Sequence, residues 1–513
     1  MPGRQDPRGG WSCRRRVRAV GVFGLLAGCV AVAAPTAAQA APTYLVTNTH
    51  DSGPGSLRAA LLAIDASTSG GVADLRKVTG TIALASPLPA LSGADQLLGP
   101  GAPALTVSGS GKHVVLTVLA GANVTVTGLR LAHGFSTAPG GAVNNAGALT
   151  LRRDVVTNST TTTGTEYFTG GGGIASTGSL TLNDTTVSHN TAIGAFPADM
   201  GGHGGGVNST GALRVVDSRI ASNHSDLGGG GIFNGGTATV KASVLSANTT
   251  GTTDWGAGEG AGVENNPGVM TVMGSTINGN RGADYGGGLR NLGALRVIRS
   301  TVSGNQAGQG AGIANLGSGT LVVRSSTLTG NHGAEGAGLF LSGGGTTVLN
   351  TTITGNRAQS FGGGIYDDEL MTLTASTVVG NSGGYAGGGV EEAGGGHNTS
   401  LKSTVIANNH GFDCSATVVD RGYNLDSDGT CGLSGSSQSH VQPLLGPLAS
   451  NGGPTDTLLP EPGSPLLNKI PVADCTSQST PPARVALDQR GVARPQGFAC
   501  DVGAVEGQGL PVS

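Results

Sequence analysis

Residues 286–305, GGGLRNLGALRVIRSTVSGN, carry the pattern that decides the fold, because most of the chain repeats it. Each copy begins with glycines and an aliphatic residue, continues through short apolar segments, and closes with an asparagine. The closing asparagines follow one another at intervals of 25 to 33 residues, at Asn158, Asn190, Asn223, Asn248, Asn280, Asn305, Asn331, Asn356, Asn381 and Asn408. A recurrence of this length is typical of a solenoid, in which each repeat packs against its neighbours.

Within a repeat, the residue types favour strands over helices. Leu295 and Val297 alternate with polar residues, as in a strand with one buried face, and strong helix formers are scarce. One repeat cannot bury its own apolar side, so we expect successive repeats to coil on one another about 4.8 Å apart, with asparagine ladders along the axis. The sequence therefore predicts an all-β chain that forms a parallel β-helix. An antiparallel sandwich is the alternative, but it does not explain a recurrence of about 25 residues.

The composition agrees with stacked strands and tight corners. Of 513 residues, 94 are glycine, while 3% are aromatic and 12% are charged, which suits a solenoid better than a compact helical core. The formal net charge of −3 gives no reason to expect a nucleic acid or an anionic membrane as partner.

Residues 1–40 are interpreted as a signal peptide. A cluster of arginines precedes an apolar run over residues 19–34, and AQA at 38–40 fits an A-x-A cleavage site. The run is short for a membrane span, so no transmembrane segment is expected in the mature chain. LAGC at 26–29 resembles a bacterial lipobox, which would leave Cys29 lipidated instead. Both interpretations predict a protein that is secreted or held at the cell surface.

Residues 41–80 form the predicted N-terminal cap. A strand leads to a Gly-Pro turn, after which Ser56 can cap a helix over residues 57–64. Such a helix would cover the open end of the first coil, which would otherwise expose an unpaired strand edge. VTNTHDSGPGSLRAA resembles the CSLREA-type N-terminal segment of secreted bacterial right-handed β-helix proteins. The resemblance implies a right-handed, pectate-lyase-like solenoid, whose repeats we place at residues 81–410.

The repeats also resemble, loosely, those of polymorphic outer-membrane proteins, through the pattern GG-[AI]-[IV]. The aromatic residue of the second motif of that family, F-x-x-N, is absent from this sequence. The adhesive role of that family is therefore not carried over to this chain.

The recurrence stops after Asn408, and residues 411–513 form a predicted small C-terminal domain. NGGPT at 451–455, DQRG at 488–491 and CDVGAVE at 500–506 resemble the choice-of-anchor Q domain. The sequence departs from that family at 466–468, where Leu-Leu-Asn replaces the usual Ala-Ile-Asp. The resemblance implies a place beside surface anchors and provides no catalytic residues.

Four cysteines remain once residues 1–40 are removed. Their proximity in sequence favours the disulfides Cys414–Cys431 and Cys475–Cys500, each stabilising the fold by about 3 kcal/mol. Zinc is the rival, but no C-x-x-C spacing exists and an exported chain meets an oxidising compartment. We predict no metal and no cofactor; a calcium loop at 426–429 (DSDG) is the alternative, although it lacks the glutamate of an EF-hand.

The linker between each closing asparagine and the next glycine run should occupy the same corner of every coil. These linkers contain seven aromatic residues and several acids, so we expect them to line one long edge of the solenoid. Aromatic faces pack on sugar rings, and carboxylates accept hydrogen bonds from hydroxyl groups. The predicted ligand-binding residues are Tyr167, Phe168, Phe196, Trp255, Tyr285, Glu335, Phe361 and Tyr385. The alternative is that the rings merely shield glycine-rich turns.

The same edge contains the candidates for catalysis. Glycoside hydrolysis needs two carboxyl groups about 5 to 9.5 Å apart, which neighbouring coils provide if Asp254 or Glu259 acts with Asp284. Glu259 and Glu335 would lie about 14 Å apart, which is too far. No complete catalytic motif is present, so we predict a monomeric, non-catalytic module that binds polysaccharide or cell-surface components. A polysaccharide lyase or glycoside hydrolase is the alternative, and a passive spacer without a ligand is the third reading.

Overall fold

Three long parallel sheets make up most of the protein, in a computed structural model that describes residues 41–67, 70–163, 168–194, 201–253, 256–393 and 399–507. They contain 15, 14 and 11 strands and are named sheets 1, 2 and 3. One coil passes through sheet 3, sheet 1 and sheet 2, as in Leu289–Asn291, Ala294–Ile298 and Thr301–Ser303, and a linker leads to the next coil. Each of these strands pairs in parallel with its equivalents in the neighbouring coils. The predicted parallel β-helix is therefore confirmed.

Each sheet takes one strand from each coil that it crosses. The strands of sheet 1 are Thr43–Leu45, Val72–Asp74, Ala94–Leu98, Asn123–Thr127, Ala148–Arg152, Ser179–Asn183, Ala212–Val216, Thr237–Lys241, Val269–Met273, Ala294–Ile298, Thr320–Arg324, Thr346–Leu349, Met371–Thr374, Thr399–Lys402 and Val419–Asp420. The strands of sheet 2 are Gly80–Ala83, Leu105–Ser108, Arg130–Ala132, Val155–Thr157, Thr186–Ser188, Arg219–Ala221, Val244–Ser246, Thr276–Asn278, Thr301–Ser303, Thr327–Thr329, Thr352–Thr354, Thr377–Val379, Val405–Ala407 and Leu425–Asp426. The strands of sheet 3 are Leu116–Val118, Val143–Asn145, Ile174–Ser176, Val207–Ser209, Ile232–Asn234, Val263–Asn265, Leu289–Asn291, Ile313–Leu316, Leu339–Ser342, Ile365–Asp367 and Val390–Glu392.

Some linkers contribute further strands at the corner between sheets 2 and 3. A five-stranded parallel sheet is formed by Phe135–Ser136, Thr160–Thr163, Thr191–Gly194, His224–Ser225 and Thr249–Thr250. The remaining pairs are His332–Glu335 with Arg357–Phe361, in parallel, and Thr252–Thr253 with Gly256–Ala257, antiparallel.

Apolar side chains of equivalent positions stack inside the coils. Leu295 is in register with Met270 on one side and with Leu321 on the other, and all three side chains are buried. Burial of apolar area contributes about 25 cal/mol per Å², so the stacked interior supplies the main stabilisation of the solenoid. No single repeat has this interior alone.

The predicted asparagine ladder is present along the corner that follows sheet 2. Asn305 Nδ2 donates to Asn331 Oδ1 at 3.0 Å, and the same Asn331 oxygen accepts from the backbone N–H of Asn305 at 3.0 Å. Equivalent bonds connect successive coils from Asn190 to Asn409. Every ladder side chain therefore satisfies backbone groups that the turn leaves unpaired inside the protein.

The prediction of a ladder is wrong for the first and last closing asparagines of the sequence pattern, which do not belong to it. Asn158 and Asn408 have φ values of 52° and 55° and occupy the left-handed position that Gly304 fills at 61°. Asparagine tolerates this conformation, which explains why it stands there. Ser159 and Asn409 take the ladder position instead. The backbone N–H of Ser159 donates to Asn190 Oδ1, and Asn409 Oδ1 accepts from Asn381 Nδ2.

A helix at Leu57–Asp65 packs on the first strands of the solenoid, one residue longer than predicted. Ser56 Oγ accepts from the N–H of Ala59 at 3.2 Å, as an N-cap residue does. The side chains of Leu57, Leu61 and Ile64 form the buried face of this helix. In the described part of the chain, no helix is long and apolar enough to cross a membrane.

The C-terminal region folds back along the outer face of sheet 2. Gln489 Nε2 donates to Thr327 Oγ1 at 2.8 Å, and Gln489 Oε1 accepts from Thr352 Oγ1 at 2.7 Å. In the next coil, Thr377 Oγ1 accepts from the N–H of Ala504 at 3.0 Å. Three successive coils are thus joined to the segment that follows them. A short 3-10 helix, Val472–Asp474, lies in this region.

Both predicted cysteine pairings, Cys414–Cys431 and Cys475–Cys500, are present in the structure. The residues that resemble the choice-of-anchor Q domain are largely used for internal contacts. Arg494 and Glu506 form an ion pair with side chains 2% and 0% exposed, and Gln489 also donates to Thr455 at 3.0 Å. Gln489 therefore joins the C-terminal region to the solenoid, whereas the Arg494–Glu506 ion pair lies within the C-terminal region itself.

Candidate functional site

The linkers before sheet 3 stack in register, as the repeat requires. Parallel bridges join Tyr285 to Gln309 and Gln309 to Glu335, and another joins Gly228 to Glu259. Beside them, the middle residue of each short sheet 3 strand faces outward, because its two neighbours are buried in the coil. Linker residues and strand centres together line one side of the solenoid, where some strand centres, such as Phe233 and Glu264, are themselves buried.

We name this surface the sheet 3 edge. Its described members include Phe168, His203, Phe233, Glu259, Glu264, Asp284, Tyr285, Arg290, Gln309, Glu335, Phe340, Phe361, Tyr366, Tyr385 and Glu391. Of the residues predicted from sequence, Tyr167, Phe196, Asp254 and Trp255 lie outside the described residues, as does Cys29.

A chain of ion pairs occupies the centre of the sheet 3 edge. Glu264 and Arg290 are opposite each other in neighbouring strands, and Arg290 Nη1 lies 2.7 Å from Glu264 Oε1 and 2.7 Å from Glu259 Oε2. His203 Nδ1 lies 3.2 Å from the other Glu264 oxygen, Oε2. The Glu264 side chain is 1% exposed and that of Glu259 is 30% exposed, so one glutamate is sealed and the other can be reached from solvent.

A glycine makes room for the buried half of this cluster. A Cβ atom on Gly228 would collide with Oε2 of Glu264 and lie 3.1 Å from Nδ1 of His203. Any side chain at this position would have to displace the carboxylate or the ring. Gly228 is therefore part of the architecture that allows His203 and Glu264 to pair.

The two glutamates differ in their ionisation. Burial opposes ionisation of Glu264, but the hydrogen bond and charge of His203, together with Arg290, outweigh it and lower its pKa. Burial raises the pKa of Glu259 to about 7, with Glu264 and Asp284 adding to the rise and Arg290 opposing it. Burial also raises the pKa of Asp284. The centre therefore contains carboxyl groups that exchange protons nearer neutral pH than ordinary ones do.

Aromatic rings lie on both sides of the charged centre. Towards the N-terminal coils, Phe168 stacks on Phe233 with ring centroids 5.4 Å apart, and His203 is tilted against both rings. Phe168 is 40% exposed.

Towards the C-terminal coils, Phe340 lies 6.1 Å from Tyr285 and stacks on Tyr366 at 4.8 Å. Phe361 and Tyr385 follow, with centroids 5.6 Å apart, and Tyr385 is 75% exposed. Glu335 sits beside these rings and accepts from Gln309 Nε2 at 2.7 Å.

Sequence reasoning identified the linker members of this surface and missed the strand-centre members. Phe233, Glu264, Arg290, Phe340 and Tyr366 are all second residues of sheet 3 strands. The signal that could have found them is the alternation within IFN, VEN, LRN, LFL and IYD, where the first residue is apolar and the second must face outward. His203, which comes before a sheet 3 strand, is also buried beside Glu264.

The segment that suggested calcium is occupied by protein hydrogen bonds. Asp428 accepts from the backbone of Asp413 and from Thr430, and Asp426 accepts from the N–H of Cys431. Among the described residues, no group of three or more His, Cys, Asp or Glu residues is arranged to hold a metal ion.

Comparisons with known proteins add little to this site. No protein-family model matches the sequence, and no curated protein matches it. One matching solved structure is the A-module of the Azotobacter vinelandii mannuronan C-5 epimerase AlgE6, at 14% identity and a TM-score of 0.36, covering 75% of this chain and 94% of that chain. At that level the likeness carries no argument about what this chain does.

Proposed function

We propose that the sheet 3 edge binds an extended polysaccharide outside the cell. The observation that carries this proposal is the succession of aromatic rings along the axis, with carboxyl groups between them. Sugar C–H faces pack on aromatic rings, and carboxylates accept hydrogen bonds from sugar hydroxyl groups. A surface of this composition serves an elongated, hydroxyl-rich ligand better than a compact one.

The length of the surface supports a polymer as the ligand. Phe168 precedes the strand Ile174–Ser176 and Tyr385 precedes Val390–Glu392, which are eight coils apart in sheet 3. At about 4.8 Å per coil, the rings extend over about 38 Å. A monosaccharide would occupy a small part of that distance.

Affinity electrophoresis tests the proposal. Residues 41–513 are run through gels that contain hydroxyethylcellulose, galactomannan, starch, polygalacturonate or alginate. We expect retardation in at least one gel, and we expect Tyr366→Ala combined with Tyr385→Ala to weaken that binding about fivefold or more, because two stacking faces are lost.

The matched control is Phe498→Ala. Phe498 is 77% exposed but belongs to the C-terminal region, so its removal should leave retardation unchanged. Free migration of the wild-type protein in every gel would contradict the proposal, and so would equal losses for Phe498→Ala and the tyrosine pair.

The organisation predicted from sequence is part of the same proposal. It comprises a signal peptide at 1–40, a cap at 41–80, right-handed helix repeats at 81–410 and a choice-of-anchor Q-like domain at 411–513. Two disulfides support an extracellular location. Mass spectrometry of the exported protein decides between cleavage after Ala40, which gives free secretion, and a lipid-modified N-terminus at Cys29.

A further inference from the structure

A hairpin of the C-terminal region overhangs the outer face of sheet 1 and encloses a cleft. In the hairpin, which spans residues 475–485, Thr476 and Arg484 form an antiparallel bridge, and the N–H of Val485 donates to Cys475 O at 2.8 Å. The cleft between hairpin and sheet has a volume of about 400 Å³. This volume lies within the range of about 300 to 1,000 Å³ that is usual for small-ligand sites.

The hairpin is fastened to sheet 1 by its own side chains. Gln478 Nε2 donates to Leu373 O at 3.0 Å and to Ser400 O at 3.1 Å, and Gln478 Oε1 accepts from Ser400 Oγ at 2.6 Å. The disulfide Cys475–Cys500 fixes the base of the hairpin. A cleft with walls held in this way has its shape before a ligand enters, which reduces the entropy cost of binding.

Two arginines line the cleft, one from each wall. Arg324 ends a strand of sheet 1 and Arg484 belongs to the hairpin, and both are exposed. Arg484 Nη2 donates to the backbone oxygen of Arg494 at 3.3 Å. Within the described part of the chain, neither Arg324 nor Arg484 forms an ion pair with a carboxylate. A guanidinium group is a planar donor that binds carboxylate or phosphate groups, so the pair indicates an anionic ligand.

The rest of the lining suits a sugar ring. Leu349 and Val485 provide an apolar surface, and Thr347 and Thr372 provide hydroxyl groups. The two hydroxyl groups lie side by side, since Thr372 Oγ1 donates to Thr347 Oγ1 at 3.3 Å. A sugar unit has C–H groups that pack on apolar side chains and hydroxyl groups that pair with polar ones.

The outer face of sheet 1 has a charge opposite to that of the sheet 3 edge. The strands of sheet 1 from Asn123–Thr127 to Thr399–Lys402 contain no aspartate or glutamate. Their basic residues are Arg152, Arg214, Lys241, Arg296, Arg324 and Lys402. Asp474, just before the hairpin, accepts from Tyr423 Oη at 2.7 Å and does not line the cleft. A face of one sign attracts ligands of the other, which again favours an anion.

We propose that this cleft binds an acidic saccharide unit, with its carboxylate or phosphate group held by Arg324 and Arg484. The ring would pack on Leu349 and Val485, beside the threonine hydroxyl groups. The site lies on a different face from the sheet 3 edge and takes a ligand of a different charge. It therefore goes beyond the proposed function and does not depend on it.

Isothermal titration calorimetry tests this site with three saccharides. Trigalacturonate carries carboxylates, glucose 6-phosphate carries a phosphate, and cellotriose is neutral. We expect at least one of the two acidic saccharides to bind about tenfold or more tightly than cellotriose, and the one that binds identifies the anionic group. Arg324→Gln and Arg484→Gln should each weaken this binding about tenfold, because each removes charge-assisted hydrogen bonds.

The matched control is Arg214→Gln. Arg214 is also an exposed arginine of sheet 1, but its strand Ala212–Val216 lies four coils before the strand of Arg324. Four coils correspond to about 19 Å, which exceeds the Debye length of about 8 Å at 0.15 M salt. We therefore expect its affinity to stay within about twofold of the wild-type value.

A second control separates this site from the proposed function. Tyr366→Ala combined with Tyr385→Ala should weaken retardation in polysaccharide gels and leave the titration unchanged, because both rings belong to the sheet 3 edge. A loss of titration in this variant would contradict two separate sites.

Three further outcomes would overturn the inference. The first is that neither acidic saccharide binds more tightly than cellotriose. The second is an equal loss in Arg214→Gln and Arg324→Gln, which would show attraction to the whole face and no specific cleft. The third is unchanged affinity in Arg324→Gln or Arg484→Gln. Urea unfolding of each variant verifies that a lost affinity does not come from a lost fold.

Discussion

Two outer faces of the same solenoid are used in opposite ways. On sheet 2, Thr327, Thr352 and Thr377 face outward in successive coils and are covered by the C-terminal region through Gln489 and Ala504. On sheet 3, several outward positions contain aromatic or charged side chains, among them Arg290 and Tyr366, and Tyr385 in the adjoining linker is exposed.

The difference shows what the repeat leaves open. The residue types at inward positions must recur in every repeat, because each inward side chain stacks on its equivalents in the neighbouring coils. The residue types at outward positions are free to vary. Short hydroxyl side chains on one face can therefore contact another segment of the chain, while rings and carboxyl groups on the other face form a candidate site. The covered face should therefore govern stability, and the sheet 3 edge should govern binding.

The largest expected effect comes from the covered side. Arg494→Ala leaves the buried Glu506 carboxylate without its partner, which should lower the free energy of unfolding by about 3 to 5 kcal/mol. Urea unfolding measures the loss. Arg76→Ala is the matched control, because Arg76 pairs with Asp74 on the surface with a side chain 63% exposed, and should cost at most about 1 kcal/mol.

The same variant tests the separation of the two faces. At urea concentrations where Arg494→Ala remains folded, its retardation by polysaccharide should equal that of the wild-type protein. A folded Arg494→Ala protein that no longer binds would show that the C-terminal region takes part in recognition, and the contrast between the faces would fail.

A smaller loss is expected from the centre of the sheet 3 edge. Gly228→Ala introduces a methyl group that collides with Glu264 and approaches His203, and overpacking of this kind costs about 1 to 3 kcal/mol. Thermal or urea unfolding measures it. In Gly345→Ala the new Cβ would meet its nearest atom, Leu370 O, at 3.7 Å, so that variant should be close to neutral. Equal stability of the two variants would mean that the His203 and Glu264 side chains can move away from the new methyl group at little cost in free energy.

The fold could be predicted from the sequence because the repeat relates residues that lie close together along the chain. Glycine runs and asparagines about 25 residues apart predict coils and ladders, and neighbouring cysteines predict Cys414–Cys431 and Cys475–Cys500. The docking of the C-terminal region was not readable, because Gln489 meets Thr327 across 162 positions and no periodic signal links them. The candidate site could be predicted only in part: the linkers pointed to Glu259 and Asp284, but Arg290 lies within a strand.

The smallest expected effect concerns the pH dependence of Glu259. Its pKa is raised from 4.5 to about 7 in the folded protein, first by burial, so the folded state binds the proton more tightly than the unfolded state does. The associated stability is fully present below pH 4.5 and is lost as the pH rises through about 7. Because the side chain is partly exposed, we expect the loss to be about 1 kcal/mol. Glu259→Gln removes the titration, so the variant should gain stability relative to the wild-type protein between pH 4.5 and pH 8 by that amount, measured as the difference in urea unfolding at the two pH values. A difference that does not change with pH would show that Arg290 keeps Glu259 ionised throughout, and it would contradict the raised pKa.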